Sequence, residues 1–283
     1  MKRILITLLS IGILSSCNQN NKEDNKETKV EVSEEITPVE PNGGIGNGAL
    51  SISDHFTKSI EKTHKKDKFL SHKAVSFDIN IIFNGKEHLD GKITMLTNSS
   101  KIRIDKKDES TLIYDGEKIY LYPADANDKG ARFDMFTWTY FFGLPYKLSD
   151  PGTKWEMQED RKLNNIAHST AKLTFEAGTG DAPDDWYVIY ADPVAKSLQA
   201  AAYIVTYGSD GDTSKAEEDP HAIRYKEFTN VNNIPFATKW EFYGWTSEKG
   251  MTDNLGEATI SNITFLDNEV QLFDGPENAK VIE

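Results

Sequence analysis

From residue 75 onward the chain alternates apolar and polar positions with a period of two. Val75, Phe77, Ile79 and Ile81 fall on one side, Ser76, Asp78 and Asn80 on the other, and Asn84-Gly85 follows directly. That spacing suits a strand buried on one face, and the Asn-Gly pair suits the two-residue turn of a hairpin. Further alternating runs come at 91–98, 101–105, 111–114, 118–122, 153–161, 166–176, 186–191, 197–206, 222–229, 236–244 and 257–265. Asp115-Gly116, Asn232-Asn233 and Asp267-Asn268 are turn-like pairs between them. About a dozen short strands at roughly ten-residue spacing predict an antiparallel meander that closes partly or wholly into a barrel. In front of the strands, Phe56, Ile60 and His64 recur at helical spacing behind Ser53, a suitable N-cap. No composition break divides this region, so one domain is expected over 49–270, with 271–283 as a C-terminal tail.

One segment interrupts the strands. In 132–145 the residues Phe133, Phe136, Tyr140 and Leu144 lie near one helical stripe, while Met135, Trp138, Phe141 and Phe142 fill much of the remainder. A helix apolar on most sides is either buried or presented to something apolar. Gly143 and Pro145 end it. Three readings follow: a plug that is ordinary core, a lid over a hydrophobic cavity, or a patch that touches a membrane. The candidate ligand-covering residues are Phe133, Phe136, Trp138, Tyr140, Phe141 and Leu144.

The N-terminus is of another kind. Lys2 and Arg3 precede an apolar run, Ile4 to Leu14, interrupted by Thr7, Ser10 and Gly12. At a helical rise of about 1.5 Å per residue it reaches only about half a bilayer core, which suits a signal peptide over 1–16 rather than a spanning helix. The run ends in Leu14-Ser15-Ser16-Cys17, which resembles the lipobox of bacterial lipoprotein signal peptides. The resemblance implies cleavage before Cys17 and diacylglyceryl transfer to its thiol. The competing reading is a plain secretory signal with an unrelated cysteine. Two or three acyl chains, at about 0.8 kcal/mol per buried methylene, hold a protein on a membrane stably. Residues 17–48 then read as the lipidated cysteine and a flexible tether, rich in Glu, Lys, Pro and Gly and too poor in apolar residues to fold. Lys22-Glu23-Asp24 is similar to the export signal of surface lipoproteins in Bacteroidetes-type bacteria, set further from the cysteine. Outer-membrane attachment is expected, on the periplasmic leaflet or the cell surface.

Composition narrows the chemistry. The 283 residues carry 32 Lys+Arg against 45 Asp+Glu, a net charge of −13, and so acidic a surface disfavours a nucleic-acid partner. A single cysteine excludes an internal disulfide framework and a multi-cysteine zinc site. His55 and His64 stand on different helical faces, and His72, His88, His168 and His221 fall near strand ends, so no metal pair is expected. Ser59 and Lys62 match the SxxK spacing, but the Lys-Thr-Gly triplet that accompanies it is missing. The Gly-x-Ser-x-Gly, Walker A and dinucleotide fingerprints are also absent. Asp181, Asp184 and Asp185 form one acidic loop, and Asp210, Asp212, Glu217, Glu218 and Asp219 another; neither has EF-hand spacing, so both read as solvated turns. Trp186, Tyr187, Tyr190, Tyr203, Tyr207, Trp240, Tyr243 and Trp245 crowd the C-terminal strands. Most are expected in the core, with a glycan-stacking patch as the alternative.

Several segments carry a wider resemblance. They are Ser59 to His64, Val75-Ser76-Phe77-Asp78, Tyr140 through Pro151, and Trp186 through Pro193. On these the body resembles the LolA/LolB-like lipoprotein-carrier superfamily, and more narrowly an uncharacterised DUF6503-like lipoprotein family of Bacteroidetes-type bacteria. One departure stands out: such families often carry glycine directly after the first-helix histidine, where this chain has Lys65 and Lys66. The resemblance implies an α+β, mainly β fold. About a dozen antiparallel strands would curve into an incomplete barrel around an N-terminal helix and the aromatic helix. The expected function is a non-enzymatic envelope lipoprotein without a cofactor, binding a lipid or other apolar ligand. The alternative is a structural or accessory lipoprotein with a protein or glycan partner, and an envelope hydrolase is the weakest reading. An empty apolar space beside residues 133–144 would favour binding, and a filled one the accessory role.

Overall fold

The computed structural model describes residues 50–209, 211–267 and 271–282. The expectations for Cys17, the signal segment and the tether therefore lie outside the described residues. Helix α1 (Ile52–Thr63) opens the body. Its N-cap is Ser51 rather than Ser53: the Ser51 hydroxyl accepts from the Asp54 N–H at 3.0 Å, and the Asp54 carboxylate accepts from the Ser51 N–H at 2.9 Å. Only Ser51 has the three-residue spacing to an acid that this reciprocal cap requires. Phe56 and Ile60 turn inward from α1, and a short second helix, α2 (Lys66–Ser71), buries Phe69. Lys65, between the two helices, has φ +61, a left-handed conformation that glycine adopts without cost.

Twelve strands follow in the positions the alternation predicts: β1 (Ala74–Phe83), β2 (Lys86–Leu96), β3 (Ile102–Lys106), β4 (Thr111–Tyr114), β5 (Ile119–Tyr122), β6 (Thr153–Leu163), β7 (Ile166–Phe175), β8 (Tyr187–Ala191), β9 (Leu198–Tyr203), β10 (His221–Val231), β11 (Ile234–Thr246) and β12 (Gly250–Leu266). A thirteenth, β13 (Lys280–Ile282), pairs with β5. Residues 271–282 thus pack onto the body rather than forming a tail. Phe273 is fully buried, and the Leu272 carbonyl accepts from Arg103 at 3.3 Å. Asp274 alone separates Phe273 from Gly275-Pro276 and β13 is very short, so no period-two run marks the segment.

The order across the sheet is β13-β5-β4-β3-β2-β1-β12-β11-β10-β9-β8-β7-β6, every pair antiparallel. The sheet is open, as the incomplete-barrel expectation required, with β13 and β6 at its edges. Tight hairpins set the register. Asn84-Gly85, Asn164-Asn165 and Asn232-Asn233 each hold two positive φ angles, the mirror-image turn whose twist matches that of the strands. Asp115-Gly116 instead belongs to a four-residue loop, where the Asp115 carboxylate accepts from the Glu117 and Lys118 N–H groups at 2.8 Å. Glycine is required where the sheet bends on either side of β1: a Cβ on Gly91 would lie 2.5 Å from the Asp105 carbonyl oxygen, and one on Gly256 2.3 Å from that of Ile82.

The main core lies on the face that carries α1, α2 and the aromatic helix, and takes Val75, Phe77, Ile79 and Ile81 of β1, Ile93 of β2, and Trp240 and Phe242 of β11. Strands β8 and β9 are buried on both faces. Their outer face forms a second cluster with Trp186, Tyr190 and Trp245, beside a short helix, α4 (Ser214–Glu218), whose Glu217 accepts from the Trp186 indole at 2.9 Å.

A cavity beside the aromatic helix

The topology explains the interruption. Strands β5 and β6 are consecutive in the chain but stand at opposite ends of the sheet, so 123–152 has to cross its inner face. Helix α3 (Ala131–Gly143) makes most of that crossing. One side of it is packed as core. Phe142 stacks on Phe77 at 3.9 Å and on Phe236 at 5.5 Å, and Met135 and Trp138 are buried. A 3-10 turn at Leu144–Tyr146 continues it, with Tyr146 stacked on Phe69 at 3.8 Å.

Polar anchors fix α3 as well. Asp134, only 4% exposed, accepts from the indole of Trp138 at 2.9 Å and from Lys106 Nζ at 2.9 Å, with His88 Nε2 at 3.0 Å. Burial alone would raise this carboxyl. The His88, Lys106 and Trp138 partners outweigh it and hold the group below the usual carboxylate range, so it stays charged. Further along, the Tyr225 hydroxyl donates to the Phe141 carbonyl at 2.9 Å. Bonds to β2, β3 and β10 tie α3 to the sheet, so the segment combines the packed plug with a wall beside open space.

The other side of α3 faces open space. Phe133, Phe136, Thr137 and Tyr140 line a cavity of about 1000 Å³. Its further walls come from the two ends of the sheet: Tyr114, Ile119 and Ile282 from one, Phe175, Tyr187 and Tyr203 from the other. The unclosed side of the barrel is therefore where the space lies. Small-molecule sites occupy roughly 300–1,000 Å³, so this one is large. Of the six aromatic-helix residues expected to cover a ligand, Phe133, Phe136, Tyr140 and Phe141 border the cavity. Trp138 and Leu144 do not; the bond to Asp134 and the turn into the 3-10 segment point them into the core. Phe141 is 1% exposed, so it supports the wall more than it contacts the space.

Charge gathers around the rim. Arg132 pairs with Asp181 and lies 5.5 Å over the Phe136 ring, and Lys147 pairs with Asp150 at 2.8 Å. Asp185 lies on the wall, where its Oδ1 accepts from the N–H and hydroxyl of Thr206 at 2.8 and 2.7 Å. Burial raises its carboxyl above the ordinary value despite those bonds, and the neighbouring Asp184 and Asp181 push it the same way. Burial also lifts the phenols of Tyr140, Tyr187 and Tyr203, helped by the Asp185 charge, so all three are neutral donors. None of these four residues was expected as cavity lining except Tyr140. Tyr187 and Tyr203 were legible only as members of an aromatic-rich stretch, and Asp185 as part of a solvated loop.

The cavity wall carries no histidine and no cysteine, and among the described residues no group of three or more His, Cys, Asp or Glu converges on a metal-sized site. Ser59 donates its hydroxyl to the Phe56 carbonyl at 2.8 Å. Most rings of the C-terminal strands are core, as expected: Trp186, Tyr190 and Trp245 are buried in the outer cluster and Trp240 in the main core, while Tyr207 is exposed.

The fold is similar to that of solved structures. A LolA superfamily protein from Nitrosomonas europaea aligns over 80% of this chain and 98% of its own, at 8% identity and a TM-score of 0.52. Weaker likenesses are a domain named as a candidate for outer membrane lipoprotein sorting from Vibrio parahaemolyticus (7% identity, 77% and 95% of the two chains, TM-score 0.45) and a DUF1329 family protein from Desulfovibrio piger (9%, 74% and 92%, 0.40). No curated protein matches the chain. Residues 2–252 match a family described as being of unknown function (DUF6503).

Proposed function

Because the chain belongs to the DUF6503 family, whose function is unknown, its role has to be argued from geometry, and we propose that it is a non-enzymatic envelope lipoprotein that binds a lipid or other apolar ligand. The observation that carries this reading is the cavity of about 1000 Å³ between α3 and the two ends of the sheet. An accessory protein with a filled interior has no use for such a space. Apolar contact at about 25 cal/mol per Å² supplies the affinity, and the aromatic walls supply most of that contact. In this reading Cys17 carries the acyl anchor at the outer membrane.

Native mass spectrometry of the exported chain lacking residues 1–17 tests the reading. A co-purifying lipid mass is expected, and Phe136→Asp is expected to remove it, because that ring is half-buried on the cavity wall. Phe141 is the wrong target: at 1% exposure a charge there would unfold the wall. A clean apo mass that stays unchanged after incubation with envelope lipid extract overturns the proposal.

A further inference from the structure

The cavity is not uniformly apolar, and its polar part is one-sided. The rim charges cancel in pairs, Arg132 with Asp181 and Lys147 with Asp150. Glu117 and Lys118 sit side by side on the β4–β5 loop. Asp185 is left over. Its Oδ1 is held by Thr206, and Oδ2 has no partner among the described residues. A half-buried carboxylate on a cavity wall with one oxygen unbonded is a ready partner for a group of opposite charge.

Three rings surround the same region. Tyr140 and Tyr187 are 5.2 Å apart between centroids, and Tyr187 and Tyr203 6.2 Å. All three line the cavity. Unlike Tyr225, whose hydroxyl donates to the Phe141 carbonyl, they pair their hydroxyls with no group among the described residues. Aromatic faces attract a cation within about 6 Å of the ring centroid, most strongly where water is excluded. An unpaired acid among neutral phenols suits an ammonium group and repels a carboxylate or phosphate.

We propose that the cavity selects amphiphiles that carry a cationic nitrogen, the ammonium group meeting Asp185 among Tyr140, Tyr187 and Tyr203 while the apolar body runs along α3. This deepens the ligand-binding reading and rests on it. The net charge of −13 works in the same direction, since it draws cations and repels anionic lipids at long range. The nitrogen is recognised whether it belongs to a lipid headgroup or to a free amine with an apolar body.

The test uses the chain lacking residues 1–17 and three probes of one chain length: dodecyltrimethylammonium, dodecanol and dodecanoate, each titrated calorimetrically below its micelle concentration. The ammonium probe is expected to bind at least about tenfold tighter than dodecanol, with dodecanoate the weakest. Asp185→Asn, which keeps an acceptor for Thr206, is expected to shrink the ammonium-to-dodecanol ratio to about twofold or less. Tyr140→Leu gives a second variant that removes a ring and leaves the acid, and it is expected to lower the ratio in part. Choline, without a chain, separates the sources: binding within about tenfold of the long-chain probe assigns the site to free amines, and no binding assigns it to lipids. Equal binding of all three probes, or a preference for dodecanoate, overturns the inference and leaves the cavity reading standing. No binding of any probe removes both.

Discussion

Lowering the pH from 7 to 5 should destabilise this fold through one histidine. His64 is 1% exposed at the end of α1, and its Nε2 accepts from the Leu198 N–H at 3.0 Å, so the native ring is neutral with its proton on Nδ1. Burial pushes the imidazole from 6.5 down to about 4, against an opposing effect of the Pro235 backbone. The unfolded chain binds the proton first as the pH falls, so stability is present above 6.5 and is lost between 6.5 and 4. At pH 5 the linkage relation puts the loss at about 2 kcal/mol from this group alone. The assay is urea denaturation of the wild type and of His64→Gln at pH 7 and pH 5. Glutamine retains an acceptor for Leu198 and does not titrate. It is expected to be less stable at pH 7, yet to lose about 2 kcal/mol less on acidification. The carboxylates titrate alike in both proteins and cancel in the difference. Equal losses on acidification in the two proteins would refute the argument.

Other substitutions test the supports of the cavity and the extent of the body. Asp134→Ala leaves the half-buried Lys106 without its carboxylate and the buried Trp138 indole without its acceptor, and the expected cost is about 3 kcal/mol by urea denaturation; a loss under about 1 kcal/mol would mean that the three bonds do not pin α3. Lys65→Gly relieves the left-handed strain between α1 and α2 and is expected to gain up to about 1 kcal/mol, seen as a rise in Tm, less whatever glycine adds to the unfolded chain's entropy. Phe273→Ala should cost about 3 kcal/mol or more if the last residues belong to the body; an unchanged Tm would return them to the status of a tail.

The relation between sequence and structure differs from one element to the next. The run Val75 to Ile81 and its Asn-Gly turn place β1 and its hairpin without further information, because alternation and turn chemistry are local. The glycine that such families carry after His64 has a local reason too: the position, held here by Lys65, has φ +61, which favours glycine. Trp138 shows the limit. In 132–145 nearly every position is apolar, so periodicity cannot tell the side of α3 that meets Phe77 from the side that meets open space. Asp134, the one acid among these rings, was the available signal for the core side, since a buried carboxylate has to sit where donors reach it. β13 gave no signal, being three residues long and held only by its partner β5.

What the sequence determines by itself is therefore the set of strands, the tight asparagine turns, the aromatic crossing and the N-terminal segment that resembles a lipoprotein signal, each written in neighbouring residues. The tertiary structure alone decides that the first strand lies mid-sheet, that the sheet stays open between β13 and β6, and that Tyr140, Tyr187, Tyr203 and Asp185 share one wall. The physical reason is that the cavity is space left by the curvature of a whole sheet, and its lining comes from residues as distant as Tyr114 and Ile282, which no local pattern relates.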